Sequence, residues 1–189
     1  MNKTRLGIWR PIILAITLVL SAQLGAASAS ANSDDAAQVV WTNPNPTSPN
    51  DIVRIYKSTG TRKPVVPPGA TAGHDPCSWT YPEIWAVDGN GVRVWDLKVD
   101  INWCYDGTNV TYYYRNPHMA VGGNWCDLGT VEDSVSSPTT GYTQTFQHHK
   151  HHVAQCSWTP WGWIYWQDTY PWIDATVYGS GGSTSNAGT

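Results

Sequence analysis

The sequence predicts an all-β fold: two antiparallel sheets packed face to face as an immunoglobulin-like β-sandwich, with a small jelly roll as the alternative. Three observations carry that expectation. Residues 92–105 alternate between two side-chain sets, and prolines and glycines punctuate the rest of the chain. No stretch repeats its apolar residues at the helical period. The aromatic set is tilted toward amphipathic rings, with 12 Trp and 10 Tyr but a single Phe among 189 residues.

The first segment reads as a secretory signal peptide over residues 1–29. Lys3, Arg5 and Arg10 precede an apolar run from Ile12 to Leu20, and Ala27-Ser28-Ala29 offers a small-residue cleavage site. Ala29-Ser30-Ala31 offers a second site, so cleavage after residue 31 is the alternative. The apolar run is about half of the roughly 20 residues that cross a bilayer, which argues against an anchor. Cleavage after Ala29 removes three basic residues and leaves 8 basic against 14 acidic, a net −6 with histidine neutral. That balance argues against nucleic acid, which selects a positive surface. No later segment has the length and apolarity of a permanent membrane span. A remainder of this size buries about two-thirds of its unfolded surface, so no cofactor is required for folding.

Residues 30–50 are expected as a flexible N-terminal arm, residues 51–178 as one β-sandwich domain, and residues 179–189 as a flexible tail. Eight prolines between Pro44 and Pro82 forbid a helix interior there. Ile52 to Lys57 is the first convincing strand, and 63–66 a short edge strand. In the long run, Arg93, Trp95, Leu97, Val99, Ile101, Trp103 and Tyr105 form the core-facing set, and the alternate set faces water. A strand of that length requires a bend or bulge. Asp106-Gly107 is a turn, Val110 to Arg115 returns, and 117–141 is a long connection. Tyr142 to Cys156 and Trp172 to Tyr178 complete the extended segments.

Cys77, Cys104, Cys126 and Cys156 all follow the leader, an even count that reads as two disulfides in an exported chain. Three pairings are open. Cys104 and Cys156 each end a strand-like run, which favours a bridge between them.

His148-His149-Lys150-His151-His152 is the candidate metal site, for zinc or copper. On a strand, His149 and His151 share one face about 6.6 Å apart. His148 and His152 share the other face, too far apart for one ion. A third ligand would come from His74, His118, Asp168 or Asp174. The competing expectation is a polar strand with incidental metal affinity.

Trp158 to Trp172 is the densest aromatic stretch. Trp158, Trp161, Trp163, Tyr165 and Trp166 could stack on a sugar face, with Asp168 or Gln167 hydrogen-bonding beside them. The competing expectation is core packing, because a chain with one Phe must fill its interior with indoles. Trp41, Trp79, Trp85 and Trp125 are further candidates. Catalysis is poorly supported. Glu83 and Glu132 are the only glutamates, no spacing selects a carboxylate pair, and there is no Gly-x-Ser-x-Gly elbow.

The leader, the run ending Asn102-Trp103-Cys104-Tyr105-Asp106-Gly107, and Cys156 followed by Tyr170-Pro171-Trp172 resemble a known group. These are small secreted β-sandwich proteins of unknown function from actinobacteria and related Gram-positive bacteria. The resemblance covers about residues 85–180. It implies an exported, disulfide-containing, immunoglobulin-like scaffold with Cys104 as a structural cysteine and no catalytic residue to carry over. The histidine run lies outside the shared pattern.

The resulting expectation is a secreted, extracellular or cell-surface, non-catalytic protein that binds a glycan or cell-wall polymer. An extracellular zinc or copper binder, a secreted hydrolase, and a structural or toxin-like protein are the alternatives.

Overall fold

The computed structural model describes residues 36–62, 75–136 and 141–189. The expected leader, the edge strand at 63–66 and His74 lie outside the described residues.

Ten strands follow in order: β1 (Gln38–Thr42), β2 (Ile52–Arg62), β3 (Cys77–Asp88), β4 (Arg93–Tyr105) and β5 (Val110–Val121). Then come β6 (Trp125–Ser136), β7 (Gln144–Thr159), β8 (Gly162–Thr169), β9 (Trp172–Tyr178) and β10 (Ser183–Gly188). One antiparallel sheet has the order β1-β2-β3-β4-β5. The other has β10-β9-β7-β6, with β8 pairing a further part of β7. The layering is that of the expected sandwich; the first sheet is a meander, whereas in the second the chain passes from the β7–β8 hairpin back to pair β9 with β7.

The alternation on β4 builds the core. Trp95, Leu97, Val99, Ile101 and Trp103 are buried, and Ile84 and Ala86 join them from β3. The second sheet contributes Val153, Ile173, Ala175 and Val177. Indoles substitute for the missing phenylalanines here. The Nε1 groups of Trp95, Trp103 and Trp125 are buried without a hydrogen-bond partner, a cost accepted for the volume they fill.

The expected irregularity in β4 is present, since its pairing with β5 shifts register between Cys104 and Tyr105. Its water-facing set is wet only in part. Asn102 and Cys104 are buried, and Asp96 and Lys98 are half-buried. The prolines sit where the ladders tolerate them. Pro117 lies on the edge strand β5, and the β3–β4 pairing skips Tyr81 and Pro82.

Several sequence expectations require correction. Part of the expected arm is strand β1, paired with β2. The expected tail contains β10, paired with β9 along its whole length from Ser183↔Val177 to Gly188↔Trp172. Both segments lack the alternating apolar pattern that marks a strand, and β10 is made of small polar residues. The expected long connection from Pro117 contains the end of β5 and all of β6, a mostly exposed edge strand whose polarity disguised it.

The disulfides join Cys77 to Cys104 and Cys126 to Cys156. The favoured Cys104–Cys156 bridge is therefore wrong. The two strand ends that suggested it belong to different sheets, and each cysteine bonds within its own sheet. Two disulfides are typical of extracellular proteins. Among the described residues, no helix is long and apolar enough to cross a membrane.

Candidate functional site

Strand β7 carries the site. It pairs with β6 along one edge, while its other edge pairs first with β9 and then with β8. Its odd-numbered residues from Thr145 to Val153 are buried, so they face the other sheet. His148, Lys150 and His152 therefore point outward, and His149 and His151 inward. The face assignment read from the sequence is the one observed.

The five-residue basic run is held by acidic neighbours. On the outer face, His148 Nδ1 lies 2.6 Å from Asp174 and its Nε2 3.4 Å from Glu132. Lys150 Nζ lies 2.9 Å from Glu132, and His152 Nε2 lies 2.8 Å from Asp168. The lysine draws the Glu132 carboxyl below its ordinary value, chiefly through that hydrogen bond. On the inner face, His149 Nδ1 meets Asp133 at 2.9 Å and His151 Nε2 meets Asp127 at 2.5 Å. Burial lowers the His149 imidazole against the opposing pull of Asp133. Burial would raise Asp133, but hydrogen bonds from Arg115 and His149 bring it net below the usual carboxylate range.

This pairing spends the imidazoles singly. Among the described residues, no three histidine, cysteine or carboxylate side chains converge as a metal site would need. The rings of His149 and His151 are 5.8 Å apart, but each has its own carboxylate. Of the proposed third ligands, Asp168 and Asp174 engage His152 and His148, and His118 lies on β5 beside Asp100 and Asn116. One arrangement has the order of a hydrolytic relay. Thr130 Oγ1 stands 3.5 Å from His151 Nδ1, with Asp127 beyond. That hydroxyl is at the limit of hydrogen bonding, and Asp127 also accepts the Gly129 backbone N–H at 2.8 Å. The trio braces the irregularity in β6 between Asp127 and Gly129. The two glutamates, Glu83 and Glu132, are on different sheets.

The aromatic stretch folds into the β7–β8 hairpin, with Thr159 opposite Gly162 and Pro160-Trp161 at the tip. Gly162 has φ of 119°, a conformation that side chains resist. Trp158 is paired with Trp163, and Cys156 with Tyr165, so Trp158, Trp163 and Tyr165 share the outer face. Trp166 is paired with Gln155 and lies on the opposite face with Ile164. Core packing is not their role: Trp158 is 65%, Trp161 93%, Trp163 55% and Trp166 37% exposed. Of the further candidates, Trp125 is buried, Trp41 is exposed, and Trp79 and Trp85 are half-buried on β3.

Two further rings extend the outer face. Tyr170 stacks on His152 at 4.5 Å with an interplanar angle of 12°, and Trp172 stacks on His148 at 6.4 Å. Aromatic side chains thus line the outer surface from Trp172 through Tyr170 and Tyr165 to Trp163. Asp174, Glu132, Lys150 and Asp168 lie beside them. Sequence reasoning named the aromatic stretch but missed the β6 carboxylates as partners of the histidine run, because β6 was read as a connection. The acidic residues Asp127, Glu132 and Asp133, set against a histidine run, were the available signal.

At the hairpin root, Gln167 adopts φ of 53° and donates from Nε2 to Asp51 Oδ1 at 3.1 Å, tying β8 to the loop before β2. A cleft of about 260 Å³ opens there, lined by Trp41, Asp51, Ile55, Trp125 and Gln167. No family model, curated protein or solved structure matches the chain.

Proposed function

We propose that this chain is a secreted, non-catalytic binding protein that holds a neutral glycan or cell-wall polymer along the outer face of its second sheet. The observation that carries this reading is the aromatic line from Trp172 to Trp163, flanked by carboxylate, ammonium and imidazole groups. Flat rings cover the apolar faces of pyranose units, while the polar groups beside them exchange hydrogen bonds with hydroxyls. At strand spacing the line is roughly 25–30 Å long, which suits a polymer better than a single sugar. His148 and His152 are stacked and hydrogen-bonded to carboxylates, so their rings are preorganised and lose little freedom on binding.

The test is adsorption of the oxidised protein to insoluble β-glucan, chitin and isolated wall polymer, with Tyr165→Ala and Tyr170→Ala as variants. Each lost ring is expected to weaken binding by about 1–2 kcal/mol, roughly tenfold. Absence of adsorption to every polymer, or adsorption unchanged in both variants, would overturn the reading.

A further inference from the structure

The outer-face line leaves part of the hairpin unexplained. Trp161 stands at the tip, and Ile164 and Trp166 lie on the face opposite Trp158, Trp163 and Tyr165. A glycan or protein lying against one face would leave the other bare. A medium that surrounds the hairpin would cover both.

We propose that the projecting end of the β7–β8 hairpin docks in the headgroup region of an uncharged lipid bilayer. Charge is the first support. From Ser157 to Gln167 no side chain is charged, and five of these eleven residues are Trp or Tyr. Those rings concentrate at the membrane–water boundary, where an apolar body and a polar tip are both satisfied.

Backbone pairing sets the depth. The β6 partner reaches only as far as Gln155, and β9 only as far as Lys150. Beyond them, the outward edges of the hairpin carry backbone groups with no neighbouring strand among the described residues. Those groups cannot enter hydrocarbon, where each would be unsatisfied. The three strand residues beyond Cys156, Ser157 to Thr159, reach about 10 Å, the scale of the interfacial layer. Docking therefore stops at the headgroups.

The Cys126–Cys156 disulfide fixes the root, so little order has to be gained on docking. Electrostatics choose the lipid. Asp127 and Asp168 lie nearest the root, both with exposed carboxylates, and the chain after Ala29 carries a net −6. An anionic surface repels this end, and a zwitterionic one does not. The outer-face rings Tyr170 and Trp172 lie behind the root and stay clear of the bilayer.

The experiment is co-sedimentation of the oxidised protein with sucrose-loaded phosphatidylcholine vesicles, with tryptophan quenching by brominated acyl chains. The wild type is expected to sediment with phosphatidylcholine and to bind at least twofold less when a third of the lipid is phosphatidylglycerol. Trp161→Ser combined with Ile164→Ser should reduce vesicle binding at least tenfold, whereas Tyr170→Ala should leave it unchanged. All these side chains are exposed, and a matching far-ultraviolet spectrum confirms that each variant is folded. No sedimentation with phosphatidylcholine, equal binding by the double variant, or stronger binding to the anionic vesicles would overturn the proposal. Because Tyr170→Ala is the glycan-site variant, loss of polymer binding and loss of vesicle binding are separately readable.

Discussion

The ring of Tyr81 occupies the space that a side chain on Gly60 would fill. The two residues are directly paired across β2 and β3, and Lys98 Nζ lies 5.1 Å above the same ring. An aromatic ring over a glycine in a strand restores the contact area that the missing side chain gives up. Gly60→Ala must displace the ring and with it the lysine contact. The expected loss is about 1–3 kcal/mol of stability, measured by urea denaturation. Adding Tyr81→Ala should recover part of that loss; an unchanged midpoint in Gly60→Ala would show that the ring moves freely.

Cys126→Ser with Cys156→Ser should cost about 3–4 kcal/mol on the chain-entropy account of a loop this long. The same change frees the hairpin root. Amide exchange in 156–166 should rise more than in β4, a difference that hydrogen-exchange mass spectrometry resolves. Uniform acceleration would mean that the bridge acts on the whole fold.

His149 makes the fold acid-sensitive. It faces Asp133 on β6, with Arg115 on β5 and His151 on its own strand nearby, and burial outweighs the carboxylate in setting its affinity for protons. Its folded value lies below the unfolded value near 6.5, so its contribution is complete above that pH. Stability then falls as pH drops toward the folded value, where the buried ring is charged as well. Unfolding midpoints between pH 8 and 5 should decline more steeply in the wild type than in His149→Gln. Below about pH 4, Asp133 adds a second decline, because its folded value is also depressed.

Arg115 ties the two layers together. It lies 2.6 Å from Asp133 and 3.3 Å from Gln147, reaching from β5 to the second sheet. Arg115→Met should cost about 1–2 kcal/mol, between the values for exposed and buried pairs, because the aspartate is partly solvated. The same urea titration checks it, and a change below 0.5 kcal/mol on the scale of surface substitutions would assign the pair to the solvent.

Asp51 anchors the loop before β2. Its Oδ2 accepts from Thr47 N at 2.7 Å, Thr47 Oγ1 at 2.9 Å and Ser48 N at 2.9 Å, while Oδ1 holds Gln167. The backbone bond from Thr47 leads in holding its carboxyl below the ordinary range. Asp51→Ala should therefore speed amide exchange in both 45–51 and 166–168, though these segments are far apart in sequence. A response confined to the loop would show that Gln167 is held by other contacts.

The strands readable from sequence have one face against the core, although β3, which also buries alternate residues, was hidden among the prolines from Pro44 to Pro82. Trp95 to Trp103 announces itself by period two, and Trp172 to Tyr178 is a strand with the boundaries expected of it. Strands β1, β6 and β10 were hidden because their exposed or polar residues carry no such contrast. Disulfide pairing depends on which strands become neighbours, and Cys104 and Cys156 finish in different sheets. For the site, period two placed His149 and His151 on one face of β7. The partners that engage them, Asp133 and Asp127, depend on register with β6, which two bulges set. The exposure of Trp161 was not legible, because a tryptophan in a short hairpin and one in a core have the same local sequence.

The disulfides join the first cysteine to the second and the third to the fourth, each between strands consecutive in the chain. A polypeptide emerging amino end first from a narrow channel presents Cys77 and Cys104 before either later thiol is available. Oxidation in order of appearance would then yield both bridges without exchange between the pairs.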